Sequence, residues 1–458
     1  MDADITIIGG GPGGYVAAIY ASHLGARVVL IEKDRLGGTC LNRGCIPTKA
    51  LASSVEACEQ AKRAADFGIE VGSVKADFSK IMARKNRVVS QLASGISELM
   101  KLNKITVIKS AGRIVSSTEV KAGDEVITTK KIIIATGSEP ARLPIFGMDA
   151  PGVLDTDALL LLTELPESLV IIGGGYVGCE FAGIFSALGT KVTILEALPR
   201  ILSNVDEDIV RFFNLTLRRR GIEVKTGAMV KAIRKEGDNF RVLWDTVGGE
   251  QVASGEYVLM ATGRTPYTDG LGIMELGMKM NRRAIAVNDY LETSIPGIYA
   301  AGDVTGKTML AHYAYYQGEV AVENALEGSR KADNSVVPAC IFVQPEIASV
   351  GITEGQAKDA GITCEVSRFP FAANGRAVAM EEAVGTVKMI CGADGKVLGV
   401  QIVGPHASDL IAEAALAITM GMAAADIART IHAHPTLPET IHEAAMAQLS
   451  GAIHIKKI

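Results

Sequence analysis

Clustered and alternating apolar positions divide the chain into short strands and amphipathic helices from its first residues onward. Residues 4–8 (Asp-Ile-Thr-Ile-Ile) are short and β-branched, as a buried strand requires. A helical pattern then runs to about Leu24, and Arg27–Ile31 reads as a second strand closed by Glu32. Residues 53–101 carry a helical period, with a long amphipathic stretch from Asp77 to Lys101. Strands are predicted at 104–108, 125–128 and 131–134. The opening pattern recurs downstream, with a strand at Leu169–Ile172 and another at Lys191–Leu195 closed by Glu196. Further strands are predicted from Val258 and from Gly297, and a helix over 308–326. Past a charged, serine-bearing loop at 328–336 the pattern changes to strands near 339–343, 363–369, 384–391 and 396–403, mixed with helices at 353–360, 407–421 and 424–430.

The turns after the first strand of each repeat carry the chemistry. Gly9-Gly10-Gly11-Pro12-Gly13-Gly14 fits Gly-x-Gly-x-x-Gly, and Gly173, Gly175 and Gly178 repeat it. Between a strand and a helix, such a turn brings backbone amides to a pyrophosphate, and an acid ending the next strand takes a ribose hydroxyl. From first glycine to acid is 23 residues in both copies, Gly9 to Glu32 and Gly173 to Glu196. A whole unit is therefore repeated, and two dinucleotides are expected. The carboxylate of Glu196 suits a free 2′-hydroxyl and repels a 2′-phosphate. The nearest base downstream is Arg200, without an arginine cluster, so NAD is expected rather than NADP.

The fold class that follows is α/β: two Rossmann-like dinucleotide-binding domains and a C-terminal α+β domain without a phosphate loop, suited to assembly. The expected boundaries are 1–145, 146–268, 269–335 and 336–458, the third segment completing the first domain. Each unit also ends a strand in a matching turn, Ala135-Thr136-Gly137-Ser138 and Ala261-Thr262-Gly263-Arg264, which implies a shared role near a nucleotide. Gly302-Asp303 ends another strand, and its acid suits either a ligand hydroxyl or the cap of the helix that begins near Ala311.

Composition narrows the class. A 458-residue chain with 48% hydrophobic and 21% charged residues has the make-up of an ordinary multidomain globular protein. A net charge of −5 offers no electrostatic case for nucleic acid or an anionic membrane. The N-terminus carries acids where a signal peptide would be basic, and the uncharged run at 414–425 is too short to span a bilayer, so a cytoplasmic location is expected. Seven scattered cysteines do not suggest a disulfide framework, and no metal site is expected.

Two cysteines stand apart. Cys40 and Cys45 lie in Gly-Gly-Thr-Cys-Leu-Asn-Arg-Gly-Cys-Ile-Pro-Thr-Lys, residues 37–49. In a regular helix, positions five apart are about 7.5 Å apart along the axis, too far for a disulfide. A bond between them would need a break in the helix, which Gly44 permits; otherwise they are two buried thiols. Near the end, Thr436-x-x-Glu439 fits a capping box. Alternatively His434 is a general base and Glu439, one turn into the helix, orients its ring.

Taken together these stretches resemble the flavin-dependent pyridine nucleotide–disulfide oxidoreductases from end to end. The resemblance rests on 9–14 with Glu32, 37–49, 173–178 with Glu180, and Ala300-Ala-Gly-Asp303; Phe371-Ala-Ala-Asn-Gly-Arg-Ala377 and 432–439 lean toward the lipoamide branch. It implies an NAD-dependent flavoprotein that oxidises protein-bound dihydrolipoamide through a Cys40–Cys45 disulfide. FAD would lie on Gly9, Gly11, Gly14 and Glu32, with Ala135, Thr136, Gly137, Gly302, Asp303 and Ala311 around it. NAD would lie on Gly173, Gly175, Gly178 and Glu196, with Tyr176, Glu180 and Gly263. Lys49 would reach the flavin and pair with Glu180, Cys45 would face the flavin, and Cys40 would meet the substrate. His434, from the partner subunit of a homodimer with a shared active site, would be the base and Glu439 its orienter. A lipoyl-bearing protein of a 2-oxoacid dehydrogenase complex or of the glycine cleavage system would be the partner.

Two features depart from the family pattern. Arg43 stands between the cysteines where a small apolar residue is usual, and its charge is expected to lower a thiol pKa. Cys179, beside Glu180, reads as packing. Rival readings within the family are a glutathione-reductase-like enzyme, which would need arginines near Glu196, and a mercuric-reductase-like one, which would need a cysteine pair within 451–458. A flavoprotein kept as a structural subunit of a multienzyme complex is the alternative outside catalysis.

Overall fold

The computed structural model describes residues 1–246 and 248–456. Lys457 and Ile458, the end of the cysteine-free C-terminal stretch, lie outside the described residues. The first unit opens with β1 (Asp2–Ile8), α1 (Pro12–His23) and β2 (Val28–Ile31). The cysteine segment follows as α2 (Gly38–Arg43) and α3 (Cys45–Lys62), and α4 (Phe78–Leu102) packs beside it. Then come β3 (Thr106–Ile108), the antiparallel β4 (Gly112–Ser116) and β5 (Glu119–Ala122), and β6 (Glu125–Ile134). These strands form one sheet in the order β3-β2-β1-β6-β5-β4, parallel through β6.

The sequence pattern differs from this in three places. The helical stretch from 53 to 101 is broken between Lys62 and Phe78, where Gly68 takes a φ of +74°; Asp77 then caps α4 by accepting from the Lys80 N–H. The strands expected at 125–128 and 131–134 are one continuous strand. The β4–β5 hairpin is not marked by an Asn-Gly or Asp-Gly pair, and short strands without a strong turn signal escape periodicity.

After β7 (Ser138–Pro140), the second unit opens with β8 (Val153–Leu154) and α5 (Thr156–Leu159). Its own strand–helix–strand repeat is β9 (Ser168–Ile172), α6 (Tyr176–Leu188) and β10 (Lys191–Glu196), followed by α7 (Glu207–Arg219) and β11 (Glu223–Thr226). A three-stranded antiparallel sheet, β12 (Val230–Glu236), β13 (Asn239–Thr246) and β14 (Gly249–Gly255), leads back to β15 (Tyr257–Met260) in the parallel sheet β11-β10-β9-β15-β8. After β16 (Arg264–Pro266) and the small hairpin β17 (Met280–Asn281) and β18 (Ala284–Ile285), β19 (Ile298–Ala300) returns to the first sheet. It pairs in parallel with β6, Ile298 opposite Ile132. The first domain is thus built from two separated stretches of chain. α8 (Ala311–Ala325) crosses α1 closely, because a Cβ on Gly318 would lie 2.5 Å from the Gly13 carbonyl oxygen.

The C-terminal domain is an antiparallel sheet, β20 (Ala339–Ile341), β21 (Glu346–Gly351), β22 (Cys364–Pro370), β23 (Thr386–Gly392) and β24 (Val397–Gly404), in the order β20-β21-β24-β23-β22. Helices cover it, among them Ala407–Thr419 and Glu439–Leu449. Its core joins that of the second unit, since Ile341, Val343, Ile347 and Val403 pack in one cluster with Phe181, Phe185 and Phe213. Ion pairs on a buried ammonium reinforce the contact: the Lys388 side chain, 1% exposed, meets Asp206 at 2.9 Å, Asp208 at 3.0 Å and Glu354 at 2.7 Å. Burial alone would push Asp206 and Asp208 up, but Lys388 outweighs it and holds both below the usual carboxylate range. The docking they provide is therefore complete at neutral pH and fades as acid protonates them. Among the described residues no helix is long and apolar enough to cross a membrane.

Candidate active site

The two glycine loops are built alike, and each glycine has its own reason. Gly9 and Gly173 turn at φ +105° and +114°, and a Cβ on either would lie 2.3 Å from the oxygen of Ala135 or Ala261. Gly14 and Gly178 let helix meet strand; a Cβ there would come within 1.7 and 2.0 Å of the Gly9 and Gly173 oxygens. Gly11 and Gly175 are instead open, with nothing nearer than 3.8 Å to a Cβ on Gly11 and nothing within 4 Å of one on Gly175. Those open positions face a cleft of about 1380 Å³, lined by both loops. That exceeds the ~300–1,000 Å³ of a single small-molecule pocket, as two large ligands require.

The acids match too. Glu32 accepts from the Gly10 N–H at 2.6 Å and from the Asp34 N–H at 2.7 Å. Glu196 accepts from Gly174 at 2.6 Å and Leu198 at 2.8 Å. Each carboxylate is thereby fixed beside its loop with lone pairs to spare. Arg200, the one base near Glu196 in sequence, spends its guanidinium on the carbonyls of Leu202, Ser203 and Val205. It is not free to hold a 2′-phosphate.

The matched Ala-Thr-Gly turns prove to be partners. β7 and β16 pair antiparallel, with Arg264 opposite Pro140 and Pro266 opposite Ser138. The Ala141 N–H donates to the Gly263 carbonyl at 3.0 Å, and the Tyr267 N–H donates to that of Gly137 at 2.9 Å. The residues after the two glycines join as well. Arg264 donates from Nε to the Ser138 Oγ and from a terminal nitrogen to the Ser138 carbonyl, both at 2.7 Å. The Ser138 hydroxyl donates to the Asp303 carboxylate at 2.5 Å. Asp303 opens a short 3-10 turn rather than the next α-helix, so it faces the cleft and is not the cap of α8. Sequence reading did not single out Ser138 and Arg264 as site residues, although their equivalent places in the repeated turn were a usable signal.

The helix breaks at Gly44, where α2 ends and α3 begins, as a bond between the two cysteines would require. A Cβ on Gly44 would lie 3.1 Å from the Thr39 oxygen, so glycine keeps the two turns tight. Cys40 and Cys45 lie together at this break, unbridged in this structure, and each thiol acts on the other. The Cys40 S–H donating to it, above all, brings Cys45 down to about 7; burial opposes this and the Lys49 ammonium assists. The same bond and burial push Cys40 far up. The expectation for Arg43 is corrected: its guanidinium pairs with Asp34 and, at 3.6 Å, with Asp157, so its charge is spent on carboxylates. The reduced protein should therefore gain thiolate absorbance as the pH rises through about 7, and Cys45→Ser should abolish that step. A midpoint at the ordinary thiol value of about 8.5 would contradict the pairing.

Lys49, one turn into α3, places Nζ at 2.9 and 2.8 Å from the two oxygens of Glu180. Glu180 is buried on α6 and also accepts from the Phe342 N–H at 3.0 Å. The Tyr176 hydroxyl accepts from Asn204 at 2.6 Å. Cys179 is fully buried against the Gly174 carbonyl, in keeping with a packing role. Cys340 also lines the cleft, which no sequence signal indicated.

His434 and Glu439 are joined to each other but do not line this cleft. His434 Nδ1 lies 2.9 Å from the Glu439 Oε1. The Thr436 N–H donates to the other oxygen at 2.8 Å, half of a capping box. The other half is missing, because the Thr436 hydroxyl donates to the Ala433 carbonyl instead. Glu439 is the first helical residue, not one turn in. Burial works against its charge, but Thr436 and His434 hold it below the usual carboxylate range. An ionised Glu439 can only accept, so it fixes the proton on Nδ1 and leaves Nε2 as the basic nitrogen. The His434 side chain is 79% exposed.

Comparison with known proteins agrees with this geometry. Residues 3–318 match the family profile described as pyridine nucleotide-disulphide oxidoreductase, and 337–445 match that family's dimerisation domain. The chain is 44% identical to a dihydrolipoyl dehydrogenase of Geobacillus stearothermophilus, over 99% of this chain and 98% of that protein. It is 41% identical to the mitochondrial dihydrolipoyl dehydrogenase of Pisum sativum, over 99% and 92%. Among solved structures, LpdA from Mycobacterium tuberculosis superposes with a TM-score of 0.91 at 29% identity, over 97% of this chain and 99% of that one. The HOCl-induced flavoprotein disulfide reductase RclA of Escherichia coli gives 0.86 at 31%, over 97% and 99%. Duplicated glycine loops, a cysteine pair in the cleft between them and full-length likeness to such enzymes place this chain in the pyridine nucleotide-disulphide oxidoreductase family.

Proposed function

We propose that the chain is a dihydrolipoamide-oxidising, NAD-reducing flavoenzyme. The observation that carries this is the cysteine pair, held at a helix break in a cleft into which both dinucleotide loops open. Gly9, Gly11, Glu32 and Asp303 would hold FAD, and Gly173, Gly175 and Glu196 would hold NAD; the open glycine positions and fixed carboxylates fit both groups. Bound FAD supplies the two-electron chemistry that links the cysteine pair to the nicotinamide. The segments 1–145, 146–268, 269–335 and 336–458 divide the labour as FAD domain, NAD domain, completion of the FAD domain and dimer interface.

The protein's own steps are thiol–disulfide exchange. In a homodimer with shared sites, His434 of one subunit faces the cysteines of the other and takes a proton from a substrate thiol on Nε2. The resulting thiolate attacks Cys40 of the oxidised pair, forming a mixed disulfide and releasing Cys45 as thiolate. The second substrate thiol then displaces Cys40, which leaves as a thiol, and the lipoamide disulfide closes. Glu439 stabilises the imidazolium between these steps. Lys49, held by Glu180, supports the Cys45 thiolate electrostatically.

A lipoyl-bearing carrier protein is the partner this reading requires. Seven scattered cysteines without the spacing of a structural disulfide framework suit a cytoplasmic enzyme. The test is steady-state turnover of the purified protein with lipoamide and with glutathione disulfide, each with NADH and NADPH. Lipoamide with NADH is expected to be the productive pair. NADH should exceed NADPH in kcat/KM by about 10²-fold or more, since a 2′-phosphate against Glu196 costs several kcal/mol. Preference for NADPH and glutathione disulfide would favour the glutathione-reductase-like alternative.

A further inference from the structure

Of the polar groups around the cleft, Arg264 and Ser138 have no part in the roles above, yet they link the second dinucleotide unit to Asp303 in the first. We infer that Arg264, acting through Ser138, is a positioning residue that fixes Asp303 as a hydrogen-bond acceptor for a ligand hydroxyl in the first dinucleotide site. The inference rests on the reading of that site as the FAD site.

The direction of each hydrogen bond is set by chemistry. A guanidinium can only donate, so the Ser138 oxygen must accept from Arg264 Nε. Gripping both the Ser138 hydroxyl and its carbonyl, Arg264 leaves that serine one orientation. The single hydroxyl hydrogen is then committed to Asp303, whose Oδ2 accepts it. The other carboxylate oxygen takes no hydrogen bond among the described residues, and Asp303 lines the cleft. Burial, the largest influence, pushes the Asp303 carboxyl above the usual carboxylate range, and the charged and polar groups that oppose it are Ser138 and Arg264, both of which favour the ionised form. Without either residue, burial would be countered less and the carboxyl would protonate at a higher pH.

A plain alternative is that Arg264 and Ser138 only staple β7 to β16. The two are separable on the holoenzyme by the rate of FAD release, followed as the rise of free-flavin fluorescence on dilution between pH 5.5 and 8.5. Arg264→Met and Ser138→Ala should each release FAD about 10–100-fold faster, with a steeper rise toward acid pH than the native protein shows. Ser138→Thr keeps the hydroxyl and should restore native release. In an Asp303→Asn background, adding Arg264→Met should change the rate less than about twofold, because the acceptor it acts on is gone. Equal effects of Arg264→Met with and without Asp303, or Ser138→Ala indistinguishable from native, would overturn the inference. Ser138→Ala and Ser138→Thr keep the test open if Arg264→Met does not fold. A native protein that carries no flavin would instead sink the reading of the site itself.

Discussion

Cys45→Ser is expected to lose dihydrolipoamide oxidation by about 10⁴-fold or more while still binding flavin and oxidising NADH with ferricyanide. A covalent exchange through two sulfurs has no partial form. With one sulfur replaced by a hydroxyl there is no disulfide for a substrate thiolate to attack, and losses of this size are seen when an essential nucleophile is removed. The NADH-to-ferricyanide half does not need the cysteines, so it reports whether the fold and both dinucleotide sites have survived. The check is the ratio of the two activities in one preparation. Retained lipoamide turnover would mean that another thiol serves. Cys340 is the candidate, since it is the other cysteine lining the cleft, although burial pushes its thiol up to about 11 and leaves it a poor nucleophile at neutral pH.

His434→Gln should lower lipoamide turnover by about 10²–10⁴-fold, the range for losing a general base, and its distribution between subunits can be read from hybrids. If each site takes its cysteines from one chain and its histidine from the other, a dimer of Cys45→Ser with His434→Gln chains has one intact site. Random reassembly of equal amounts would make half the dimers hybrid, so activity should return to about a quarter of native from two nearly inactive parents. A site built within one chain would give no recovery, since every site would keep its own defect. The 79% exposure of the His434 side chain fits the shared arrangement, because a base that stays in water cannot be shielded for proton transfer. The Glu439 contact, made within one chain, holds the proton on Nδ1 and leaves Nε2 for the substrate.

Much of this was legible in the residues because each signal was local. A glycine loop needs three glycines at fixed spacing and an acid one strand later, and both copies supply them. The spacing of residues five apart called for a helix break only if Cys40 and Cys45 bond, and Gly44 was the residue that permitted it. Other features depend on contacts distant in sequence. Arg43 looked like a thiol activator until the fold brought Asp34 and Asp157 to it. Ser138 and Arg264 are 126 positions apart, and no period along the chain announces that their turns pair. Thr436 fitted a capping box by spacing, yet its hydroxyl found a nearer carbonyl in Ala433.

The return of β19 to the side of β6 has a consequence for how the protein is made. A ribosome delivers Ile134 long before Ile298, at ~5–20 residues per second, so an interval on the order of ten seconds separates the two strands. During that interval one edge of the nascent sheet, the β-branched run Ile132–Ile134, lacks its neighbour and resembles the exposed edges that recruit other chains. The intervening chain, which becomes the whole second unit, can meanwhile fold as a separate body. A fragment ending near residue 145 would carry the first glycine loop and both active-site cysteines. It would still lack the strand that seals its sheet, and so should accumulate as aggregate rather than as a small flavin-binding protein.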